Sequence, residues 1–415
     1  MRLSLFWQDL MICKFFTFVL KNAILCSLRG EPMKQYFQQL KEAIRKGDWV
    51  LLLLCIVTTA FGCLIVASAT NYLNTSGFLF KQILGAFIGI LLYAFISSVD
   101  TEFFMEHRTA LMVFNILFLS LLIPFGLEVG GNKSWVKFPF LPFNIQVAEI
   151  CKITFILIMA SVMSAHKEKI SSPWSIVHMC FHLALLFGLN LALSGDMGVS
   201  LIFVFIFVVM AFTGGINMLW FAGAGGMAVI LFPLIWPLLS DHQRLRIEVL
   251  FNPQLDAAGT GILWQSNLSL RSLTGGGMTG QGLFNGHRTQ NGILTGQHTD
   301  FIFSAIGEEL GYVGCVLVLA LLAAIIARCI WVGIRSQDYS RRLICFGSAA
   351  ALIFQTLINI GMCTGIGPVI GLTLPFISYG ATSIVSLYAM LGLVSGVYAR
   401  PAPTSHERYI RPPIY

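Results

Sequence analysis

Apolar residues along this chain fall into long runs that short polar segments separate. Ten runs are long enough to cross, as helices, a hydrocarbon core about 30 Å thick. The pattern therefore predicts an all-α polytopic membrane protein with about ten transmembrane helices. The eighth run is too long for one simple span, so we expect it to tilt or to pass beyond the membrane. The predicted spans are residues 49–70, 78–98, 110–128, 146–165, 174–193, 197–213, 217–239, 301–334, 343–364 and 376–399.

The longest polar interruption, residues 240–300, lies between predicted helices 7 and 8. It contains ten glycines, among them the run Gly275–Gly277. Glycines at this density predict a structured loop with short helices and many turns. A loop of about 60 residues in a compact membrane protein is usually functional.

Both ends of the chain are more polar, and residues 49–399 form the predicted membrane domain between them. Residues 1–48 are predicted as a cytoplasmic N-terminal tail and residues 400–415 as a cytoplasmic C-terminal tail. Within residues 1–32, an apolar run is interrupted by charged side chains and has no convincing signal-peptide cleavage motif. A peripheral amphipathic helix and a misassigned start at Met33 both remain open.

Composition supports the membrane class. The chain is 56% hydrophobic and 11% charged, whereas a soluble domain carries about 25% charged residues. The net charge of +7 reflects topology rather than nucleic-acid binding, because Lys and Arg cluster in segments on one side. By the positive-inside rule both termini are cytoplasmic and loop 240–300 is extracellular. The ten cysteines form no CxxC pair, so neither disulfides nor a thiolate metal site is predicted.

Acidic side chains mark the start of the eighth apolar run. Asp300 lies where the loop meets the run, and Glu308 and Glu309 lie about 12 Å farther along a helix, near mid-depth. Asp300 has two compatible interpretations, a helix cap or a general base whose pKa is raised at the membrane edge. The glutamates lie about 80° and 180° around the helix from Asp300. We therefore interpret them as buried polar structure.

Two other predicted helix starts, and the outer loop that contains Trp135, carry polar or aromatic groups on the same side. Glu149 and Lys152 are three residues apart and share a helix face, either neutralising each other or forming a cavity floor in which Lys152 faces a phosphate. Asp196 is a cap or a second carboxylate converging on Asp300. Trp135 belongs to an interfacial aromatic belt or to the cavity.

Together these stretches resemble the shape, elongation, division and sporulation family, which RodA and FtsW typify. The resemblance covers roughly residues 45–400, and its most specific part is the run from His298 to Gly311. It implies a ten-helix peptidoglycan glycosyltransferase that polymerises lipid II, an undecaprenyl-pyrophosphate-linked disaccharide peptide, outside the cytoplasmic membrane. It also implies a class B penicillin-binding transpeptidase as partner. The matching stretches are 131–135, 146–152, 196–198, 244–247, 251–253, 256, 265–266, 275–282, 298–311 and 359–380.

The resemblance also assigns roles to single residues. The family's essential aspartate corresponds to Asp300, its cavity Glu and Lys to Glu149 and Lys152, its second outer aspartate to Asp196, and its loop tryptophan to Trp135. We further predict cavity residues, buried polar residues and a divalent cation, Mg²⁺ or Mn²⁺, with unknown ligands. The further cavity residues are Lys133, Arg244, Arg246, Gln265, His298 and Ser378, and the structural ones are Glu308, Glu309 and Asn359.

Three departures from the family pattern bear on the helix starts. Gln146-Val-Ala-Glu149 stands where Gln-Pro-Ser-Glu is common, Ser194-Gly-Asp-Met-Gly198 where Gln-Pro-Asp-Leu-Gly is common, and Ser134 where an Arg is frequent. The acidic positions are retained in each case. Two competing functions stay open, a lipid II flippase and a non-catalytic scaffold, and the sequence does not separate elongation, division and sporulation roles.

Overall fold

The computed structural model describes most of the chain. The chain divides into Met1–Gly47 and Asp48–Tyr415, and all helices and strands named below belong to the second unit. The predictions for residues 1–32, for the tail beyond Arg400 and for Arg246 lie outside the described residues. The described residues are 45–129, 131–139, 141–238, 244–245, 248–249, 251–256, 261 and 263–400.

Helices dominate the described residues. Eight segments are long and apolar enough to cross a membrane, with α4 and α5 forming one of them, and α8 and α9 are apolar but shorter. The predicted polytopic helical membrane protein is confirmed. In chain order the helices are α1 (Trp49–Ala69), α2 (Gly77–Ser98), α3 (Thr101–Glu106), α4 (Arg108–Ser120), α5 (Leu122–Phe125), α6 (Val147–Ala165), α7 (Pro173–Ser194), α8 (Met197–Thr213), α9 (Met218–Ile235), α10 (Leu263–Gly275), α11 (His287–Gln290), α12 (Ile302–Arg335), α13 (Tyr339–Cys363) and α14 (Ala381–Ala399).

Three helices form the centre of the bundle. In the apolar window of α14, 89% of residues are buried, against 72% for α6 and 67% for α13 but only 17% for α7. Helix α2 packs closely on α14 because Gly85 and Gly89 leave no side chain between them. A Cβ added at Gly85 would lie 2.9 Å from the Cα of Ala381, and one at Gly89 would lie 2.7 Å from the Tyr388 ring.

A small antiparallel sheet follows α5. Its strands are β1 (Gly126–Val129), β2 (Asn132–Val136) and β3 (Ile145–Gln146), in the order β1-β2-β3. The all-α prediction omitted this sheet, and the third predicted span, 110–128, runs too far because the helix ends at Phe125. The last residues of the predicted span are still apolar enough to extend the run, and hydropathy does not distinguish a short strand from the end of a helix.

Helix α12 contains a break, at Gly311, where φ is 66° and ψ is −161°. The break removes the two intrahelical bonds that would join Tyr312 to Glu308 and Val313 to Glu309. The Gly-rich loop replaces all four partners, which satisfies the freed backbone groups. The bonds are Gln281 N to Glu308 O (2.9 Å), Gly282 N to Glu309 O (2.9 Å), Tyr312 N to Gly277 O (2.9 Å) and Val313 N to Met278 O (3.2 Å).

Two sequence-based expectations change here. The glutamates lie at the end of α1 rather than midway along it, because Glu309 bonds Ser68, the last residue but one of α1, and Glu308 bonds the loop at Thr289. The last predicted span, 376–399, begins too early, because α14 starts at Ala381. Residues 366–380 are apolar but irregular. The protein buries most of residues 372–380, as irregular backbone at such a position requires, whereas Ile366 is 82% exposed.

Candidate active site

Several helix ends meet on one side of the bundle, which we call the loop end. The starts of α6, α8, α12 and α14 lie there with the ends of α1 and α13, because successive long helices run in opposite directions. The irregular segment 366–380, which we call the α13–α14 segment, also lies there. Polar side chains that are far apart in sequence are thereby brought to one region.

The backbone before α12 is held from outside its own helix. The carbonyl oxygen of His298 accepts from the amide of Tyr379 at 2.8 Å, and that of Thr299 accepts from the Ser378 hydroxyl at 2.6 Å. The carbonyl oxygen of Asp300 accepts from the Asn359 amide group at 2.8 Å. Three consecutive carbonyls are therefore fixed by α13 and the α13–α14 segment.

The carboxylate of Asp300 is not used as a helix cap. The N-cap position of α12 is Phe301, and no side chain bonds the helix amides there, so the capping interpretation is wrong. Burial raises the pKa of Asp300 to about 6, the nearby Asp196 charge adds to this, and a hydrogen bond from Thr299 opposes it. A carboxyl group with this pKa accepts a proton readily near neutral pH.

Asp196 lies at the start of α8 and approaches the same segment of chain. Its carboxylate caps α8 by accepting from the Val199 amide at 3.1 Å, and it also accepts from the Ser134 hydroxyl at 3.4 Å. Burial is the main cause of its raised pKa. A Cβ added at Gly371 would lie 3.5 Å from the Asp300 carboxylate. A Cβ added at Gly198, two residues after Asp196, would contact Ile370 and Leu372, the residues on either side of Gly371.

Glu149 and Lys152 form a buried ion pair in α6. The Lys152 ammonium lies 2.9 and 3.0 Å from the two carboxylate oxygens, and both side chains are almost fully buried. Ser386 of α14 and Gln355 of α13 donate to the same carboxylate. The pair is therefore the polar junction of the three central helices, and its charges neutralise each other.

Glu308 and Glu309 attach the loop to the first part of α12. Glu308 accepts from the amides of Arg288 and Thr289, both at 2.9 Å, and from the Thr289 hydroxyl at 2.7 Å. Glu309 accepts from Ser68 at 2.6 Å and from Gln290 at 2.7 Å. Their oxygens are occupied by protein donors, and the two side chains are buried.

The other predicted cavity residues lie in different surroundings. The Lys133 ammonium donates to the Ile123 carbonyl, and the Arg244 guanidinium donates to the carbonyls of Trp236 and Pro237. Trp135 is half-buried in β2, where it pairs with Leu127 and Gln146. Gln265 is half-buried in α10.

His298 and Ser378 flank the Asp300 backbone rather than opening into free space. Burial lowers the pKa of His298, and its ring lies 5.0 Å from the Phe78 ring, centroid to centroid. The Ser378 hydroxyl accepts from the Leu374 amide at 2.8 Å while it donates to Thr299. Asn359 donates to the Leu372 carbonyl as well as to that of Asp300.

The family model described as cell cycle protein, covering FtsW, RodA and SpoVE, matches residues 48–401. This chain belongs to that family.

Relatives and a solved structure agree over most of the chain. Probable peptidoglycan glycosyltransferase FtsW of Trichlorobacter lovleyi is 31% identical over 372 residues, 85% of this chain and 94% of the relative. Peptidoglycan glycosyltransferase MrdB of Escherichia coli K12 is 28% identical over 355 residues, 85% and 93% of the two chains. The predicted family and enzyme class are confirmed. A structure described as coordinating polymerization and crosslinking in a peptidoglycan synthase complex matches with a TM-score of 0.73, at 27% identity, over 85% and 97% of the two chains.

A metal site built by the protein alone is not found in the part of the chain that the structure describes. No three His, Cys, Asp or Glu side chains there are arranged to hold an ion. Asp196 and Asp300 alone do not complete the shell of six oxygens that Mg²⁺ prefers. The divalent cation remains a prediction.

Sequence reasoning missed several polar residues around the FtsW/RodA/SpoVE site. Ser386 and Gln355 complete the junction at Glu149, Ser134 bonds Asp196, and Gln82 contacts the α13–α14 segment. A signal was present for Gln82, Gln355 and Ser386, because each is a polar side chain inside an apolar span, where polar groups need a partner. The partner of each is set by tertiary contacts.

Proposed function

We propose that this protein polymerises lipid II into β-1,4-linked glycan strands, with Asp300 as the general base. Its enzyme class is peptidoglycan glycosyltransferase, the class named for its relatives from T. lovleyi and E. coli. The observation that carries the assignment of the base is the Asp300 carboxylate. This carboxylate does not cap the helix amides, and burial raises its pKa to about 6. The backbone that carries it is held by hydrogen bonds to three consecutive carbonyl oxygens, those of His298, Thr299 and Asp300.

The proposed reaction is a single displacement at the anomeric carbon of the donor sugar. The 4-hydroxyl oxygen of the acceptor forms a bond to that carbon while the bond from the carbon to the pyrophosphate oxygen breaks. Asp300 takes the hydroxyl proton, and the polyprenyl pyrophosphate leaves with the bonding electron pair. An α-linked donor is thereby inverted to a β linkage. Pyrophosphate is already a good leaving group, so the step needs a base more than an acid.

The second requirement of this reaction is to neutralise the negative charge that develops on the departing pyrophosphate. The candidate cations for this role are Lys152 and loop arginines such as Arg244 and Arg246. Lys152 is buried and gives two of its three N–H donors to Glu149, so a phosphate has to reach this buried pair to accept the third. The Nε and one terminal nitrogen of Arg244 donate to backbone carbonyls, so these two groups have to leave the carbonyls before they can bind a phosphate. If a divalent cation bound beside Asp196 and Asp300, it would supply further positive charge, and loss of activity with EDTA would support its presence.

The proposed cellular setting follows from the distribution of Lys and Arg along the chain. The protein lies in the bacterial cytoplasmic membrane with both termini inside, tails of residues 1–48 and 400–415, and the loop end with segment 240–300 outside. A class B penicillin-binding transpeptidase is the proposed partner, to which the likeness to a peptidoglycan synthase complex lends support.

The test of the base is Asp300→Asn, which keeps the side-chain size but removes the proton acceptor. Glycan chains formed from purified lipid II in detergent should fall by about 10²–10⁴-fold, while the thermal melt of the protein stays close to that of the wild type. Asp338→Asn is the matched control, because Asp338 caps α13 at the opposite end of the bundle and Asn also caps helices well. Wild-type polymerisation by Asp300→Asn would overturn the assignment of the base, whereas a purified wild-type protein that forms no glycan chains would favour the flippase or scaffold alternative.

A further inference from the structure

Gln82 is a fully buried amide in α2. It shares one helix face with Phe78 and Gly85. At Gly85 the helix α2 packs directly against Ala381 at the start of α14. A buried amide at a close helix contact is costly unless its donor and its acceptor both find partners. Gln82 has both.

The two partners of Gln82 are backbone groups of the α13–α14 segment. Its Nε2 donates to the carbonyl oxygen of Ser378 at 2.9 Å, and its Oε1 accepts from the amide of Gly380 at 3.0 Å. One side chain thereby clamps residues 378–380, which lie outside regular secondary structure and would otherwise leave buried polar groups unpaired.

The clamped residues in turn hold the backbone that carries Asp300. The Ser378 hydroxyl donates to the carbonyl of Thr299 at 2.6 Å, and the Tyr379 amide donates to that of His298 at 2.8 Å. Phe78 reinforces the same arrangement, because its ring lies 5.0 Å from both the His298 and the Tyr379 rings. Two sets of hydrogen bonds therefore connect α2 with the backbone before Asp300. The first joins Gln82 to Ser378 and Gly380, and the second joins Ser378 and Tyr379 to residues 298–299.

We propose that Gln82 is a positioning residue for Asp300: it fixes the α13–α14 segment, and that segment fixes the carboxylate for proton transfer. The inference rests on the proposed role of Asp300 as base. Gln82 does not contact substrate in this proposal. A displacement of about 1 Å at a reacting group can cost about 10²-fold in rate, so a clamp two steps away has a measurable effect.

The test variant is Gln82→Met, which keeps the length and volume of the side chain but removes both hydrogen bonds. We expect kcat for lipid II polymerisation to fall about tenfold to a hundredfold while KM changes little, since ground-state binding is untouched. The acid limb of the pH profile should also move to lower pH. A looser segment admits water to Asp300 and relieves the burial that raises its pKa.

Ser97→Ala is the matched control. Ser97 lies on the same face of α2 at the opposite end, is buried, and bonds Ser395 of α14 at 2.8 Å. The substitution therefore removes a hydrogen bond between the same two helices without changing any contact of the α13–α14 segment. The melting temperature of Ser97→Ala should fall by about as much as that of Gln82→Met, whereas kcat and the pH profile should stay those of the wild type. An equal pH shift in both variants would mean that Gln82 acts only on stability.

Ser378→Ala cuts the same path at the next step and serves if Gln82→Met does not fold. It should lower kcat and move the acid limb in the same direction, and the two changes together should be less than additive because they lie in series. Additive effects, or an unmoved limb in a folded variant, would overturn the inference. If Asp300→Asn polymerises normally, the base assignment itself fails. If Asp300→Asn is inactive and Gln82→Met behaves like wild type, only the positioning inference fails.

Discussion

At the scale of single residues, Asp300 combines two surroundings that act in the same direction on its carboxyl group. Burial disfavours the charged form, and the Asp196 carboxylate repels it, so its pKa is about 6. Asp196 is itself fixed by its role as the cap of α8. A structural role of one carboxylate thereby tunes a chemical role of the other.

The pH dependence of polymerisation tests this pairing. Because the base acts in its ionised form, activity should rise with pH through a midpoint of about 6, the pKa of Asp300, and be lost below it. Asp196→Asn removes the repelling charge but keeps the cap, so the midpoint should move to lower pH. The measurement is kcat for lipid II against pH for both proteins. An Asp196→Asn midpoint equal to or above that of the wild type would contradict the interaction.

At the scale of elements, the broken helix α12 and the Gly-rich loop are one unit. The loop supplies backbone partners for the four groups that the break at Gly311 frees. This requires backbone to approach backbone, and a Cβ at Gly276 would lie 1.9 Å from the carbonyl oxygen of Gly307. Glycine is needed there for space.

A single methyl group tests that contact. Gly276→Ala should push the loop away from α12 and lower the free energy of unfolding by about 1–3 kcal/mol, with polymerisation reduced as well. Gly225→Ala in α9 is the control, because a Cβ there meets nothing within 4 Å. Thermal melts and lipid II polymerisation in detergent give the comparison. Equal behaviour of the two variants would show that the loop tolerates the added methyl group.

At the scale of the whole molecule, the bundle is organised around a polar junction. Glu149 and Lys152 lie in α6, and their partners Gln355 and Ser386 lie in α13 and α14, so the three most buried helices meet at one ion pair. An ion pair removed from water in this way is costly to break from one side only. Its geometry therefore bears on the position of all three helices.

Single and double substitutions separate the cost of the pair from that of an unpaired charge. Lys152→Met leaves Glu149 buried without a counter-ion and should cost about 3–5 kcal/mol, whereas Lys152→Met with Glu149→Gln should recover most of the loss. Thermal unfolding in detergent measures both. A double variant as unstable as the single one would show that the pair contributes more than mutual neutralisation.

Hydropathy alone determined the class of this protein, because a bilayer forces apolar residues into helical runs of a fixed length. Ordered local motifs also determined the family and singled out Asp300, Asp196 and the Glu149–Lys152 pair. These signals are local in sequence, and a pattern of residue types records them directly.

Tertiary structure decided what the local pattern leaves open. The break at Gly311 is hidden in an apolar run, and Glu308 and Glu309 before it bond the loop and the end of α1. The clamp from Gln82 to Ser378 joins residues 296 positions apart. A hydrogen bond between distant segments depends on how helices pack, so the sequence shows that such a buried amide needs a partner, and only the folded chain shows which partner it has.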